Sequence, residues 1–167
     1  MADLKQLGLA VVGCGVVGRM RSTLAKDFPG IGWIGLADIN EDLGQKLKDD
    51  IDADFFTNDF RELLKRPEVD AVVIATSTWA HGEPTLLAAE LGHKLFIEKP
   101  LATDARESLQ VLTAIEDAGV DAVVGYTQRF RRRFLASKAR IDSGQIGDLT
   151  AVVTRAFMNQ MAPTGEV

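Results

Sequence analysis

The glycine-rich turn GCGVVG at residues 13–18 constrains the fold of this chain more than any other stretch. It follows the compact apolar run Leu7 to Val12, which predicts a buried strand. It opens the segment Val16 to Phe28, whose pattern predicts a helix that ends before a Pro-Gly pair. A strand, a tight glycine turn and a helix in this order are typical of a sheet covered by helices.

The residues of this turn have distinct predicted roles. Gly13 permits the tight turn, Gly15 lets the backbone approach a pyrophosphate, and Gly18 allows the helix to pack closely on the strand. The helix start at Val16 and Val17 supplies free N–H groups and a positive partial charge for the phosphates. The turn therefore predicts dinucleotide binding, and the alternative is a glycine turn chosen for packing alone.

Strand and helix patterns alternate six times along the chain, and the strands are nearly all apolar. Continuous apolar strands are expected when helices cover both faces of a sheet, so residues 1–125 predict a doubly wound parallel sheet, the Rossmann fold. Charge changes at the same boundary: residues 1–125 carry 12 basic and 21 acidic side chains, and residues 126–167 carry seven and three. That second part predicts a connecting helix, roughly Phe130 to Ser143, and a strand over Leu149 to Phe157.

Composition excludes several classes of protein. No apolar run reaches the ~18–20 residues that span a bilayer, and the N-terminus lacks the pattern of a signal peptide, so we expect no membrane partner. The single cysteine, Cys14, permits no intrachain disulfide, which favours the cytoplasm. The acidic balance of residues 1–125 argues against nucleic acid as a partner.

Asp38 ends the second predicted strand, twenty residues after Gly18. A carboxylate at this place accepts hydrogen bonds from the adenosine ribose hydroxyls. It also repels a 2′-phosphate, and no arginine follows it directly, so the sequence predicts NAD rather than NADP. The alternative is that Asp38 only caps a turn.

A loop after the fourth predicted strand contributes three further candidates, Ala75, Thr76 and His81. In a doubly wound sheet this loop lies along the carboxyl edge, where ligands bind. Thr76 is predicted to contact the backbone or ribose of the cofactor. For His81 two interpretations stay open: a place near the cofactor, or a helix-start residue that satisfies local hydrogen bonds.

The tripeptide Glu98-Lys99-Pro100 follows the next strand at the same edge. Lys99 is suited to orient substrate hydroxyls, to stabilise a developing alkoxide or to help proton transfer. Glu98 is suited to hold Lys99 or to accept a hydrogen bond from the nicotinamide ribose. Without the glycine turn, a surface ion pair followed by a turn proline would be the better interpretation.

The densest basic run, RFRRR at residues 129–133, has two interpretations. Such runs are usually a solvated helix face. The other interpretation is a contact with an anionic or polyhydroxylated ligand, with Arg129 closest to the edge of the sheet.

Taken together, these motifs resemble the Gfo/Idh/MocA oxidoreductases, the family of glucose–fructose oxidoreductase and inositol dehydrogenase. The pieces that carry the resemblance are the turn at residues 13–18, Asp38, Ala75-Thr76 with His81 downstream, GHKLFIEKPLA at 92–102, GYTQRF at 125–130 and SGQIGDL at 143–149. The resemblance implies hydride transfer between NAD(P) and a sugar, inositol or related polyol. It also implies that Lys99 is the catalytic or substrate-orienting residue, and we expect a cis peptide bond before Pro100.

Members of that family carry a second α+β domain that covers the nicotinamide, and here only its first strand, Leu149 to Phe157, is expected. The chain alone is therefore expected to bind NAD with little or no turnover. Two alternatives stay open: a non-catalytic nucleotide-binding module, and a methyltransferase, which also uses a glycine-rich turn. An unpaired strand edge over Leu149 to Phe157 would pair with another chain, so we expect a homo-oligomer.

Overall fold

A computed structural model describes residues 6–155. Six strands form one parallel sheet in the order β3-β2-β1-β4-β5-β6. The strands are β1 Leu7–Val12, β2 Ile31–Ala37, β3 Phe55–Thr57, β4 Ala71–Ile74, β5 Lys94–Ile97 and β6 Ala122–Val124. The helices are α1 Val16–Lys26, α2 Glu41–Ile51, α3 Phe60–Leu64, α4 Gly82–Glu90, α5 Ala105–Ala118 and α6 Arg132–Asp142. The order of the strands confirms the predicted Rossmann fold.

The core has two layers because successive side chains of a strand point to opposite faces of the sheet. On β1, Ala10 and Val12 belong to the cluster that packs under α3 and α4, with Ile115 of α5 beside it. Val11 lies in the other cluster, with Leu47 of α2. A strand that is buried on both faces has no polar position, which explains why β1 is apolar throughout.

Three helices of this domain begin with a side-chain cap, and α1 does not. Asn40, Asp59 and Asp104 each accept a hydrogen bond from a backbone N–H in the first turn of α2, α3 and α5. Gly15 precedes α1 and has no side chain to offer. The N–H groups at the start of α1 are thus left for another acceptor.

The chain divides into two compact units, Met1–Tyr126 and Thr127–Val167. In the second unit, a 3-10 turn at Thr127–Phe130 precedes α6. The strand predicted over Leu149 to Phe157 is wrong for residues 149–155, which form no strand, and the last two residues of that prediction lie outside the described part. A strand exists only when its backbone groups bond to a neighbour, and in the described chain this segment has none.

The homo-oligomer was expected from an unpaired edge of that strand, so this argument for it no longer applies, and the homo-oligomer stays a prediction. Among residues 6–155, no helix is long and apolar enough to cross a membrane.

Candidate functional site

The carboxyl ends of β1, β4 and β5 lie at one edge of the sheet and begin three loops at the same height. The N–H of Gly13 donates to the last carbonyl of β2 over 2.8 Å, and the N–H of Ala75 donates to the last carbonyl of β1 over 2.8 Å. The N–H of Glu98 donates to the last carbonyl of β4 over 2.9 Å. These bonds bring the glycine turn, the Thr76 loop and the Glu98-Lys99-Pro100 loop together, as the sequence predicts.

The three glycines of the turn face different surroundings. Gly13 has a φ of +99°, and a Cβ on it would stand 2.6 Å from the carbonyl oxygen of Ala75. A Cβ on Gly18 would collide with the carbonyl oxygen of Gly13. A Cβ on Gly15 would meet nothing within 4 Å. Gly13 and Gly18 are therefore required by the packing of the protein itself, whereas Gly15 leaves open space in front of the turn.

The open space in front of Gly15 adjoins a helix start that has no side-chain cap. The first helical hydrogen bond of α1 runs from the N–H of Arg19 to the carbonyl of Gly15 over 2.8 Å. The N–H groups of Val16 and Val17 come before that bond, and both side chains are exposed. A helix start with free N–H groups and no side-chain cap favours an anion through hydrogen bonds and the helix dipole.

Asp38 lies beside the glycine turn and is half-buried. Its Oδ2 accepts a hydrogen bond from the N–H of Cys14 over 2.6 Å, and its Oδ1 accepts one from the N–H of Asn40 over 2.8 Å. The turn-capping interpretation of Asp38 is therefore correct, and it leaves the cofactor role possible. The carboxylate is held at the end of β2, against the turn that would bind the phosphates.

Cys14 is a structural residue of the turn. Its side chain is fully buried, and its Sγ lies 3.8 Å from the carbonyl oxygen of Ala37. Burial, and after it the charge of Asp38, raise the pKa of this thiol from 9.0 to about 12, while Arg19 acts in the opposite sense. At neutral pH the thiol stays protonated, so it is a poor nucleophile.

His81 links two of the loops at the edge. It is 1% exposed, its Nε2 lies 3.1 Å from the carbonyl oxygen of Thr76, and its Nδ1 lies 2.9 Å from that of Pro100. Each ring nitrogen faces a backbone carbonyl, and a neutral imidazole donates its single N–H to one of the two, so the structure favours the local hydrogen-bonding interpretation. The ring holds the Thr76 loop at a fixed distance from the loop that carries Lys99.

Glu98 is held by an arginine and not by Lys99. Its side chain is 11% exposed, and its Oε1 accepts hydrogen bonds from Nε and Nη2 of Arg21 over 2.9 and 2.5 Å. The sequence motifs did not point to Arg21, although its spacing in the helix indicates that it faces the sheet. It lies three residues after Gly18 and one before the buried Ser22, so helical periodicity places it toward the sheet.

Lys99 is exposed at the same edge, and its peptide bond to Pro100 is cis, as predicted. No residue among 6–155 lies within ion-pair distance of its ammonium group. Arg129 belongs to the second unit, in the 3-10 turn Thr127–Phe130, so its contact with a ligand stays a prediction.

Known proteins share this fold and these motifs. The family model GFO_IDH_MocA, described as "Oxidoreductase family, NAD-binding Rossmann fold", matches residues 7–126. Over 143 residues the chain is 32% identical to scyllo-inositol 2-dehydrogenase (NAD(+)) of Bacillus subtilis, a match that covers 85% of this chain and 42% of that protein. Over 144 residues it is 31% identical to 2,7-anhydro-N-acetylneuraminate hydratase of Mediterraneibacter gnavus, covering 86% of this chain and 38% of that protein.

A solved structure agrees with these relatives. The crystal structure of a probable dehydrogenase from Thermotoga maritima matches with a TM-score of 0.78 and 28% identity, covering 84% of this chain and 42% of that one. The chain thus spans less than half the length of the proteins it matches.

Proposed function

The chain belongs to the Gfo/Idh/MocA oxidoreductase family with its NAD-binding Rossmann fold, and we propose that it is the cofactor-binding part of an enzyme that transfers a hydride between NAD and a polyol. One observation carries this proposal. The uncapped start of α1 and the exposed Lys99 lie on loops of the same sheet edge, so one extended dinucleotide reaches both.

Different residues around the turn bind different parts of the cofactor in this proposal. We assign the pyrophosphate to the backbone of Gly13, Gly15 and the start of α1, because that N-terminus offers unpaired N–H groups beside open space. We assign the adenosine ribose to Asp38, because its carboxylate stands beside the turn at the end of β2. A 2′-phosphate would place further negative charge beside that carboxylate, which favours NAD over NADP.

Asp38 follows β2, on one side of β1, and the ends of β4 and β5 lie on the opposite side. We therefore assign the ends of β4 and β5 to the nicotinamide half of the site. When bound, NAD accepts a hydride at its nicotinamide ring. We assign Lys99 to the substrate, because its ammonium is exposed and no residue of the described chain neutralises it. A cation there stabilises negative charge that develops on a substrate oxygen and orients hydroxyl groups by donating hydrogen bonds.

The substrate class is a polyol such as an inositol or a sugar. Support comes from the inositol dehydrogenase among the relatives and from the exposed donor at Lys99. The hydratase among the relatives shows that similar proteins carry other activities. Formation of NADH in the presence of a polyol would distinguish net oxidation from hydration.

A titration of the chain with NADH and NADPH, followed by fluorescence, tests the cofactor assignment. We expect NADH to bind more tightly than NADPH, and S-adenosylmethionine not to compete. Tight binding of S-adenosylmethionine without NADH binding would overturn the oxidoreductase proposal.

Steady-state reduction of NAD with a panel of inositols and sugars tests the reaction. A non-catalytic cofactor-binding module is the second candidate, because the chain spans only 42% of the inositol dehydrogenase it matches. Turnover that disappears in Lys99→Ala supports the enzyme. NADH binding without turnover is expected of this chain under both candidates, so only turnover separates them.

A further inference from the structure

Arg21 belongs neither to the glycine turn nor to the Glu98-Lys99-Pro100 loop, so neither motif accounts for its role. It projects from α1, the helix whose uncapped first turn we assign to the pyrophosphate, and its side chain is 22% exposed. It reaches Glu98, a residue 77 positions later in the chain, at the end of β5. One side chain therefore joins the phosphate end of the site to its nicotinamide end.

The contact is built from three groups. Nε and Nη2 of Arg21 both donate to Oε1 of Glu98 over 2.9 and 2.5 Å. The guanidinium also lies over the ring of Phe96, with its Cζ 4.7 Å from the ring centroid. Phe96 and Glu98 are both at the end of β5, so Arg21 is fixed by a charge-assisted bond and by an aromatic face on the same strand.

The second oxygen of Glu98 remains available. A carboxylate accepts bonds at both oxygens, and Arg21 uses only Oε1. No described residue donates to Oε2, which lies beside Gly125, 3.0 Å from the place where a Cβ on that glycine would stand. Glu98 thus presents a fixed acceptor at the edge of the sheet, next to Lys99.

We propose that Arg21 is a positioning residue for the nicotinamide half of the cofactor, which it serves by holding Glu98 so that Oε2 accepts a hydroxyl of the nicotinamide ribose. This inference rests on the proposed function. Arg21 itself touches neither the adenosine half nor the reacting atoms in this scheme. Its loss should therefore weaken only those ligands that contain the nicotinamide riboside.

Two ligands separate this role from a general loss of structure. NADH contains the whole dinucleotide, whereas ADP lacks both the nicotinamide and its ribose. In Arg21→Met we expect the Kd for NADH to rise about tenfold or more, since a hydrogen bond to a charged group is lost, and the Kd for ADP to change less than about twofold. Calorimetry measures both constants on the full 167-residue chain.

Arg19 supplies a matched control on the same helix. Its guanidinium pairs with the exposed Asp50, and it makes no contact with Glu98. Arg19→Met removes the same charge and one ion pair, and we expect the ratio of the two Kd values to stay at the wild-type level. Arg21→Lys, which keeps the charge but loses the fork of two donors, should give an intermediate ratio and serves if Arg21→Met does not fold.

The double variant Arg21→Met/Glu98→Gln separates stability from positioning. Neutralising Glu98 removes the unpaired charge that Arg21→Met leaves behind, so the unfolding midpoint should recover while the ratio of NADH to ADP affinity stays low. A ratio that recovers together with stability would overturn the proposal. Equal weakening of both ligands by Arg21→Met and Arg21→Lys, or no weakening of NADH, would also overturn it. A wild-type chain that binds neither ligand would refute the proposed function instead.

Discussion

The two halves of the sheet edge are built by different means. On the β1–β2 side, the turn is shaped by main chain: Gly13 packs against the backbone of Ala75, and Gly18 packs against the backbone of Gly13. On the β4–β5 side, the loops are held by side chains that come from elsewhere. The ring of His81 lies between two loop carbonyls, and Arg21 bonds to Glu98.

This difference explains why the β1–β2 side can be predicted from a sequence motif and the contacts of the β4–β5 side cannot. A place where a Cβ collides with backbone admits only glycine, so the requirement is visible as a motif. A loop held by a distant side chain imposes no requirement on its own neighbours in sequence. Stability should therefore depend on backbone space in the first half and on side-chain contacts in the second.

The largest effect is expected at Gly18. In Gly18→Ala the new methyl group collides with a carbonyl oxygen that cannot move without opening the turn, so we expect a loss of about 4 kcal/mol in the free energy of unfolding, or failure to fold. Urea denaturation measures it. Gly15→Ala is the matched control: its methyl group meets no protein atom, so stability should stay and NADH affinity should fall. Equal stability of the two variants would contradict the backbone account.

The next effect is expected at His81, in the half held by side chains. His81→Ala removes a fully buried ring that lies between the carbonyls of Thr76 and Pro100 and donates a hydrogen bond to one of them, so we expect a loss of about 3 kcal/mol. His93→Ala is the control, because His93 also lies beside a carbonyl, that of Leu64, but is only half-buried. If urea denaturation finds the two variants equally stable, His81 does not hold the loops.

A smaller effect is expected at Asp38, where the affinities for NADH and NADPH are compared directly. Asp38→Ala removes the proposed ribose acceptor, so the Kd for NADH should rise about tenfold, and the preference for NADH over NADPH should shrink. Asp104→Ala removes an aspartate that caps α5 and should leave both constants unchanged. A preference that survives Asp38→Ala in fluorescence titrations would show that another group selects the cofactor.

The smallest effect is expected from Cys14 and concerns pH. Its pKa rises from 9.0 to about 12 on folding because the thiol is buried, so between these values the unfolded chain loses a proton that the folded chain keeps. Stability conferred by the protonated thiol is present below pH 9 and declines as pH rises toward 12. Urea denaturation between pH 8 and 11 should show a shallower decline for Cys14→Ala than for wild type. Identical slopes would mean that the thiol does not ionise differently on folding.

Much of the fold and part of the site could be predicted from local patterns. Apolar runs such as Leu7–Val12 predict strands that are buried on both faces. The turn at residues 13–18 predicts a helix start that is open to an anion. The strand predicted over Leu149 to Phe157 was wrong for residues 149–155, because an apolar run forms a strand only beside a partner strand. The role of Arg21 was missed because its partner stands 77 positions away.

Local patterns were enough to predict the doubly wound sheet and the position of the glycine turn, because glycine requirements and apolar periodicity act between near neighbours in the chain. What holds the loop of Lys99 follows from the folded sheet. The parallel strands bring Arg21, His81 and Glu98 to one edge, and contacts between residues so far apart in sequence exist only once the sheet has formed.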